Sequence, residues 1–267
     1  MMPPAPPSWA RMIRASNPSP MTLEGTNTWI IDNALIDNAH VGKAMPIDAR
    51  APHRPGGLIV VDPGPLDEAH LRAVAACGPV ALVLLTHRHP DHAAGARRFA
   101  ELTGAQVLDR DDFAVDGAIA GGVLVLHTPG HTSDSVSFVV DIDGDEPAVL
   151  TGDTILGRGS TVVAAHPDGD LRSYLSSVDR LGQLGDLAVL PGHGPILPSV
   201  AVAADACLEH RAARLGQVRA ARAAGDRTAE EIVRRVYADV DPALWSAAEL
   251  SVRAQVAYLD GQSAADM

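Results

Sequence analysis

The residues Thr86-His87-Arg88-His89-Pro90-Asp91-His92 put three imidazoles and a carboxylate within six positions. Imidazole is the commonest metal ligand among side chains. Side chains two apart in an extended segment share a side, so His87 and His89 can reach one cation together. Asp91 and His92 lie further on, at the start of a helix, and suit a second cation. A solvated loop would account for a lone histidine pair, but not for this density directly behind an apolar run. The theme recurs along the chain. Apolar segments stop at Asp62-Pro63-Gly64, His127-Thr128-Pro129-Gly130-His131, Gly152-Asp153 and Gly192-His193-Gly194. Asp and His are common in turns, so each of these alone reads as structural. Their joint occurrence at successive strand ends points to one convergent site.

Strands must carry those turns. Val80 to Leu85 is apolar throughout, as a strand buried on both faces should be. Asn27–Asp32, Leu58–Asp62, Ala105–Leu108, Gly122–Leu126, Ser135–Asp141, Ala148–Leu150 and Leu187–Leu190 read as further strands. Helices are expected over Asp67–Cys77, over Ala93–Leu102, and after Asp170, an N-cap followed by an apolar stripe from Leu171 to Leu181. Sites at strand C-terminal ends are the α/β habit. Residues 1 to 20 read as a Pro-rich, weakly structured entry. Asn38 to Gly57, with its prolines and glycines, reads as a surface insertion.

With these motifs in this order, the chain resembles the metallo-β-lactamase superfamily over about Asn17 to Pro198. The resemblance implies a four-layer αββα sandwich in the α/β class, with residues 1–198 as the catalytic domain. It also implies that His87, His89 and His131 hold one metal, that Asp91, His92 and His193 hold the other, and that Asp153 bridges them. The implied cofactors are two Zn2+ ions, with Mn2+ or Fe2+ as other candidates. The implied nucleophile is metal-bound water in the form of a bridging hydroxide, with Asp91 as a proton acceptor. Two divalent cations against Asp91, Asp153 and a hydroxide leave roughly +1 on the site, which favours anionic or ester-type substrates. Asp62 is similar to a family position near the metals and would orient a histidine; His127 is assigned a structural or supporting role.

The resemblance also discriminates among relatives. True β-lactamases of the superfamily typically carry a cysteine where this chain has Asp153, so antibiotic hydrolysis is disfavoured. The diiron redox branch has an acidic residue in place of a first-motif histidine, whereas His89 is intact here. The interval from His131 to Asp153 leaves no room for the inserted domain of the large nucleases. Asn17 to Thr28, Gly152 to Gly157 and the C-terminal segment resemble the group of beta-lactamase-like protein 2. That resemblance implies single-stranded RNA cleavage, an endoribonuclease-like phosphodiesterase, while the same ligand set also serves thioester hydrolysis of the glyoxalase II kind. A nucleic-acid-binding scaffold with a structural metal is the non-enzyme alternative.

Residues 199–267 read as a helical, winged-helix-like appendage. A long Ala-rich helix carries Arg211, Arg214, Arg219 and Arg222; Thr228 to Glu231 fits a capping box, and Asp241-Pro242 opens a last helix. Gly261 to Met267 is too short for a proper wing. The four arginines suit either nucleic acid or packing, including a homodimer contact. With Asp205 and Glu209 offsetting their charge on the same helix and few aromatics for stacking, packing is the expected role.

The chain has 267 residues, 46% of them hydrophobic, 20% charged, and a net charge of −12. This is a globular composition with little general affinity for polyanions. Cys77 and Cys207, far apart and outside any CxxC spacing, are read as buried thiols and not as a disulfide. No secretion signal or membrane-length apolar run is evident, so a cytoplasmic location is expected.

Overall fold

The computed structural model describes residues 4–32, 57–113, 116–120, 122–141, 146–165 and 167–265. The insertion lies outside the described residues, apart from Gly57. Among the described residues, ten strands form two mixed sheets. In the first, β1 (Ala10–Arg14), β2 (Asn27–Asp32), β3 (Leu58–Val61), β4 (Val80–Leu84) and β5 (Gln106–Leu108) lie in chain order. The β1–β2 and β2–β3 pairs are antiparallel; β3–β4 and β4–β5 are parallel. In the second, β6 (Gly117–Ala120), β7 (Val123–His127), β8 (Val136–Val140) and β9 (Ala148–Gly152) run antiparallel, and β10 (Ala188–Pro191) adds parallel to β9.

Strand alternation explains the layering. Ile31, Ile59, Val61, Leu82 and Leu84 of the first sheet meet Val125, Phe138, Val140, Leu150 and Leu190 of the second. Their neighbours Ile30, Val60 and Val83 point the other way, onto α1 (Glu68–Ala75) and α3 (Ala96–Thr103) through Leu71, Val74 and Phe99. Val139, Val149 and Val189 likewise face Leu171, Tyr174, Val178 and Leu181 of α4 (Leu171–Gly182). Side chains that alternate at period two and are apolar at every position require cover on both faces. Each fully buried aliphatic or Phe side chain contributes roughly 1.5–3 kcal/mol. The result is the expected αββα sandwich.

The C-terminal segment comprises α5 (Val200–Ala223), α6 (Ala229–Val236) and α7 (Trp245–Ala265). Ser199 caps α5, and the Thr228–Glu231 capping box closes reciprocally at the start of α6. Val200, Ala204, Leu215, Val218, Ile232, Val252 and Leu259 share one cluster with α4. No described helix is long and apolar enough to cross a membrane.

Four expectations need correction. The entry segment is not weakly structured: β1 is an edge strand, and Trp9, 1% exposed, donates its indole N–H to the Glu146 carbonyl at 3.0 Å. The prolines flank β1 and none lies within it. The helix read over Ala93–Leu102 is split into a short α2 (Pro90–Ala93) and α3. Between them Gly95 donates to the Gly64 carbonyl at 2.9 Å, and a Cβ there would meet Pro65 O at 2.8 Å. Asp241 caps as read, with Pro242 at the first helical position, but the turn it opens is 3-10 (Pro242–Leu244), and α7 begins only after it and runs to Ala265. Both cysteines are free and half-buried, not fully enclosed.

Candidate metal centre

The predicted turns converge at one end of the two sheets. Asp62 follows β3, Thr86 to His92 follow β4, His131 lies between β7 and β8, Asp153 follows β9, and His193 follows β10. Among the described residues three candidate ligand groups arise, each with its donor atoms within 4.8 Å of one another: His87/His89/His131, Asp91/His92/His193, and His87/His92/Asp153. The first two share no residue, and the third straddles them.

The hydrogen bonds fix which nitrogen of each ring faces inward. Nδ1–H of His131 donates to the Val162 carbonyl at 2.8 Å, and Nδ1–H of His193 to the Gly25 carbonyl at 3.2 Å. His92 Nδ1 lies 2.8 Å from Asp62 Oδ2, and His89 Nε2 lies 3.4 Å from Asp168 Oδ2. Thr86 spends its hydroxyl hydrogen on Asp62 Oδ2 at 2.6 Å, so at 3.0 Å it accepts from His87 Nδ1. All five outer nitrogens are thus donors, which leaves each inner nitrogen as the one whose lone pair a cation would take, as in metal-binding histidines.

Those inner nitrogens face one another. His87 Nε2 is 3.1 Å from His89 Nδ1, which is 3.0 Å from His131 Nε2; His92 Nε2 and His193 Nε2 are 3.2 Å apart. Asp153 lies between the groups, with Oδ1 3.4 Å from His92 Nε2 and Oδ2 3.4 Å and 3.7 Å from His193 and His131. Asp91 Oδ2 is 3.1 Å from His193 Nε2. Asp153 Oδ1 is buried and has no hydrogen-bond partner among the described residues. Converging lone pairs beside an orphaned carboxylate oxygen fit cations, which would satisfy all of them at once.

The electrostatics agree. Burial pushes His87 and His131 below the ordinary imidazole range, which keeps them neutral. Burial opposes charge on His92 too, but Asp153 and Asp62 outweigh it and hold His92 well above its ordinary value. His193 is likewise penalised by burial yet raised to about 9 by Asp153 and Asp91. Burial disfavours the Asp153 carboxylate, and His92 and His193 more than offset that, holding it well below the usual range. Without cations, protons on His92 and His193 balance the buried carboxylates; cations would displace them.

The backbone is shaped around this cluster. Asp62 has φ 52°, a left-handed conformation that aspartate tolerates, and its side chain reaches both Thr86 and His92. A Cβ at residue 192 would lie 2.6 Å from Asp153 Oδ1 and 2.7 Å from His92 Cε1, so Gly192 is required by close approach. Asn27 donates to the Pro191 and Gly194 carbonyls at 3.0 and 2.9 Å, and Thr26 to Asp91 at 3.4 Å, binding the Asn17–Thr28 stretch to the His193 turn.

All seven candidate ligands come together, with Asp62 against His92. His127 does not join them. Its backbone N–H donates to Asp116 at 2.7 Å, and its carbonyl accepts from Arg180 at 3.2 Å, so its role is local to that surface. Sequence reasoning missed Asp168, which holds His89 and pairs with Arg88 at 2.6 Å. A Pro-Asp-Gly stretch ahead of a helix reads as a turn, and nothing in it signals a ligand's partner. The Gly25 and Val162 carbonyls carry no residue-type signal at all.

Comparison with known proteins follows the same lines. The metallo-beta-lactamase superfamily profile matches residues 53–108 and 105–193, and that of the beta-lactamase associated winged helix domain matches 228–257. The chain is 27% identical over 252 residues to the Beta-lactamase-like protein 2 homolog of Caenorhabditis elegans, covering 85% of this chain and 76% of that protein. It is 31% identical over 215 residues to an atrochrysone carboxyl ACP thioesterase of Aspergillus fumigatus, covering 71% of this chain and 58% of that protein. Among solved structures, a metallo-beta-lactamase family protein from Thermus thermophilus superposes with a TM-score of 0.71 at 20% identity, over 96% of this chain and 94% of that one.

Proposed function

The chain belongs to the metallo-β-lactamase superfamily, and from that premise we propose that it is a hydrolase using two divalent cations, zinc by preference, to cleave an acyl thioester. The observation that carries the metal reading is that all five histidines turn one ring nitrogen inward, each ring fixed by the partner of its outer nitrogen. His87, His89 and His131 would hold one ion, Asp91, His92 and His193 the other, with Asp153 shared. Nitrogen-rich donor sets with a carboxylate suit zinc.

Bound there, the cations would supply a nucleophile at neutral pH and would polarise the electrophile. The protein's own contribution is orientation. Asp62, Thr86, Asp168 and the Gly25 and Val162 carbonyls lock the imidazole rings before substrate arrives. Of the two carboxylates in the cluster, Asp91 is the more exposed, at 26% against 11% for Asp153. On that ground we assign it the role of proton acceptor, which it would fill when water is activated.

Two observations support a thioester. One is the similarity to proteins named as thioesterases. The other concerns the α5 arginines, which an RNA strand would need free. Arg211 is turned onto the Thr161 carbonyl, Arg214 bonds the Val236 carbonyl, Arg219 bonds Gln262 and Arg222 pairs with Asp260. Single-stranded RNA remains the second reading, favoured by the similarity to the beta-lactamase-like protein 2 homologues and by the winged-helix match.

Side-by-side turnover of an acyl thioester, single-stranded RNA and a β-lactam by the metal-loaded protein decides between them. Thioester hydrolysis is expected, falling at least about 100-fold in His87→Ala and Asp153→Ala, with no β-lactam turnover. RNA cleavage without thioester hydrolysis replaces the first reading with the second. Activity that survives both substitutions in protein without bound metal removes both.

A further inference from the structure

Arg211 lies on α5, outside the segment that carries the ligands, yet it is 4% exposed. No carboxylate lies within salt-bridge distance of it among the described residues. A guanidinium is rarely buried without a counter-charge, so what it does hold is informative. It donates to the Thr161 carbonyl and stacks 4.9 Å over the Tyr174 ring.

Both contacts lead to the metal centre. Thr161 Oγ1 is 3.3 Å from His131 Nδ1, and the carbonyl of the next residue, Val162, accepts from that same nitrogen at 2.8 Å. Tyr174, 1% exposed, donates its hydroxyl to the carbonyl of Thr154 at 3.0 Å, one residue beyond Asp153. One side chain on α5 therefore braces the strap that sets the His131 ring and the tyrosine that anchors the segment leaving Asp153.

We propose that Arg211 is a positioning residue for the metal centre, through which the C-terminal helix sets the direction of His131 and the placement of Asp153. This rests on the metal reading above. A guanidinium can stack on a ring while directing an N–H in its own plane to a carbonyl. An ammonium cannot do both with fixed geometry, and an amide loses the charge over the ring. Loosening the strap would leave every ligand present but let the His131 ring rotate. Outer-shell losses of this kind typically cost about 10–100-fold in metal affinity.

The test uses the full-length chain, stripped and reloaded with Co2+, with affinity from chelator competition and ligand geometry from the visible d–d bands. Arg211→Gln is compared with Arg219→Gln, a charge loss on the same helix, where Arg219 bonds only Gln262 at 3.0 Å. Arg211→Gln is expected to weaken at least one of the two ions by about 10–100-fold and to alter the bands. Arg211→Lys is expected to fall between it and wild type, and Arg219→Gln to match wild type. Wild-type affinity and spectrum in Arg211→Gln overturn the inference, as does an equal loss in Arg219→Gln. If Arg211→Gln does not fold, Arg211→Lys decides: a several-fold loss with shifted bands supports the inference, and wild-type values overturn it. Failure of the wild-type chain to bind Co2+ would instead sink the metal reading itself.

Discussion

Every candidate ligand here is a residue whose protonation competes with its metal. Asp62, 2% exposed, is enclosed with Thr86 and His92 and holds the ring by a bond of 2.8 Å. His193 is raised to about 9 in the metal-free cluster, against an ordinary value of 6.5. A raised histidine contributes stability that is fully present below its unfolded pKa and lost as pH rises through the folded value. The chelator-stripped protein should therefore lose melting temperature between about pH 6.5 and pH 9. Zn2+ should restore it, because the cation takes the proton's place beside Asp153 and Asp91. Thermal melts at both pH values, with and without Zn2+, check this; a stripped protein equally stable at both would contradict it.

At the scale of elements, the site depends on where strands stop and helices begin. α4 starts at Asp170, whose side chain accepts from Ser173 N at 2.7 Å, while its own N–H donates to the Gly130 carbonyl at 3.0 Å. The helix cap and the His131 turn are thus built on one residue. Asp170→Ala should lower stability by about 1 kcal/mol, the usual worth of an N-cap, read as a shifted urea midpoint with unchanged slope. An unchanged midpoint would mean that solvent replaces the cap. The strands and caps at this level were largely legible in the sequence. Asp170, Thr228 and Asp241 are short polar residues ahead of apolar periodicity, and they cap as that pattern implies. Of the four edge strands, β5 and β10 were read from their apolar runs, and β1 and β6 were not. In β1 the burial of ARMIR leaves no strong alternation.

At the scale of the molecule, the C-terminal helices complete the layer that covers the second sheet. Val178 and Leu181 of α4 are fully buried in the cluster that includes Val218, Ala221, Val252 and Leu259. On this ground we propose that residues 1–198 and 199–267 are domains by composition but not independent in stability. A chain ending at Pro198 would expose the side of α4 that packs on α5, and large contiguous apolar patches drive association. Such a truncation should aggregate or bind a hydrophobic dye in size-exclusion and fluorescence assays, whereas the full chain should unfold in a single transition. A soluble, monomeric, metal-binding 1–198 fragment would show that the appendage is dispensable to the fold.

The sequence by itself determined the inventory of candidate ligands and the layering. Metal-binding side chains are chemically distinctive, and burial on two faces writes itself as apolar runs of strand length. Only the tertiary structure decided which atoms face inward. That choice rests on Gly25 and Val162 carbonyls, on Asp168 across the cluster, and on Arg211 from a helix more than a hundred residues beyond His92. Backbone acceptors have no residue-type signature, and a buried arginine reads in one dimension like an exposed one. Hydrogen bonds between positions far apart in the chain arise only once the two sheets have packed, so the aim of each imidazole is a property of the fold.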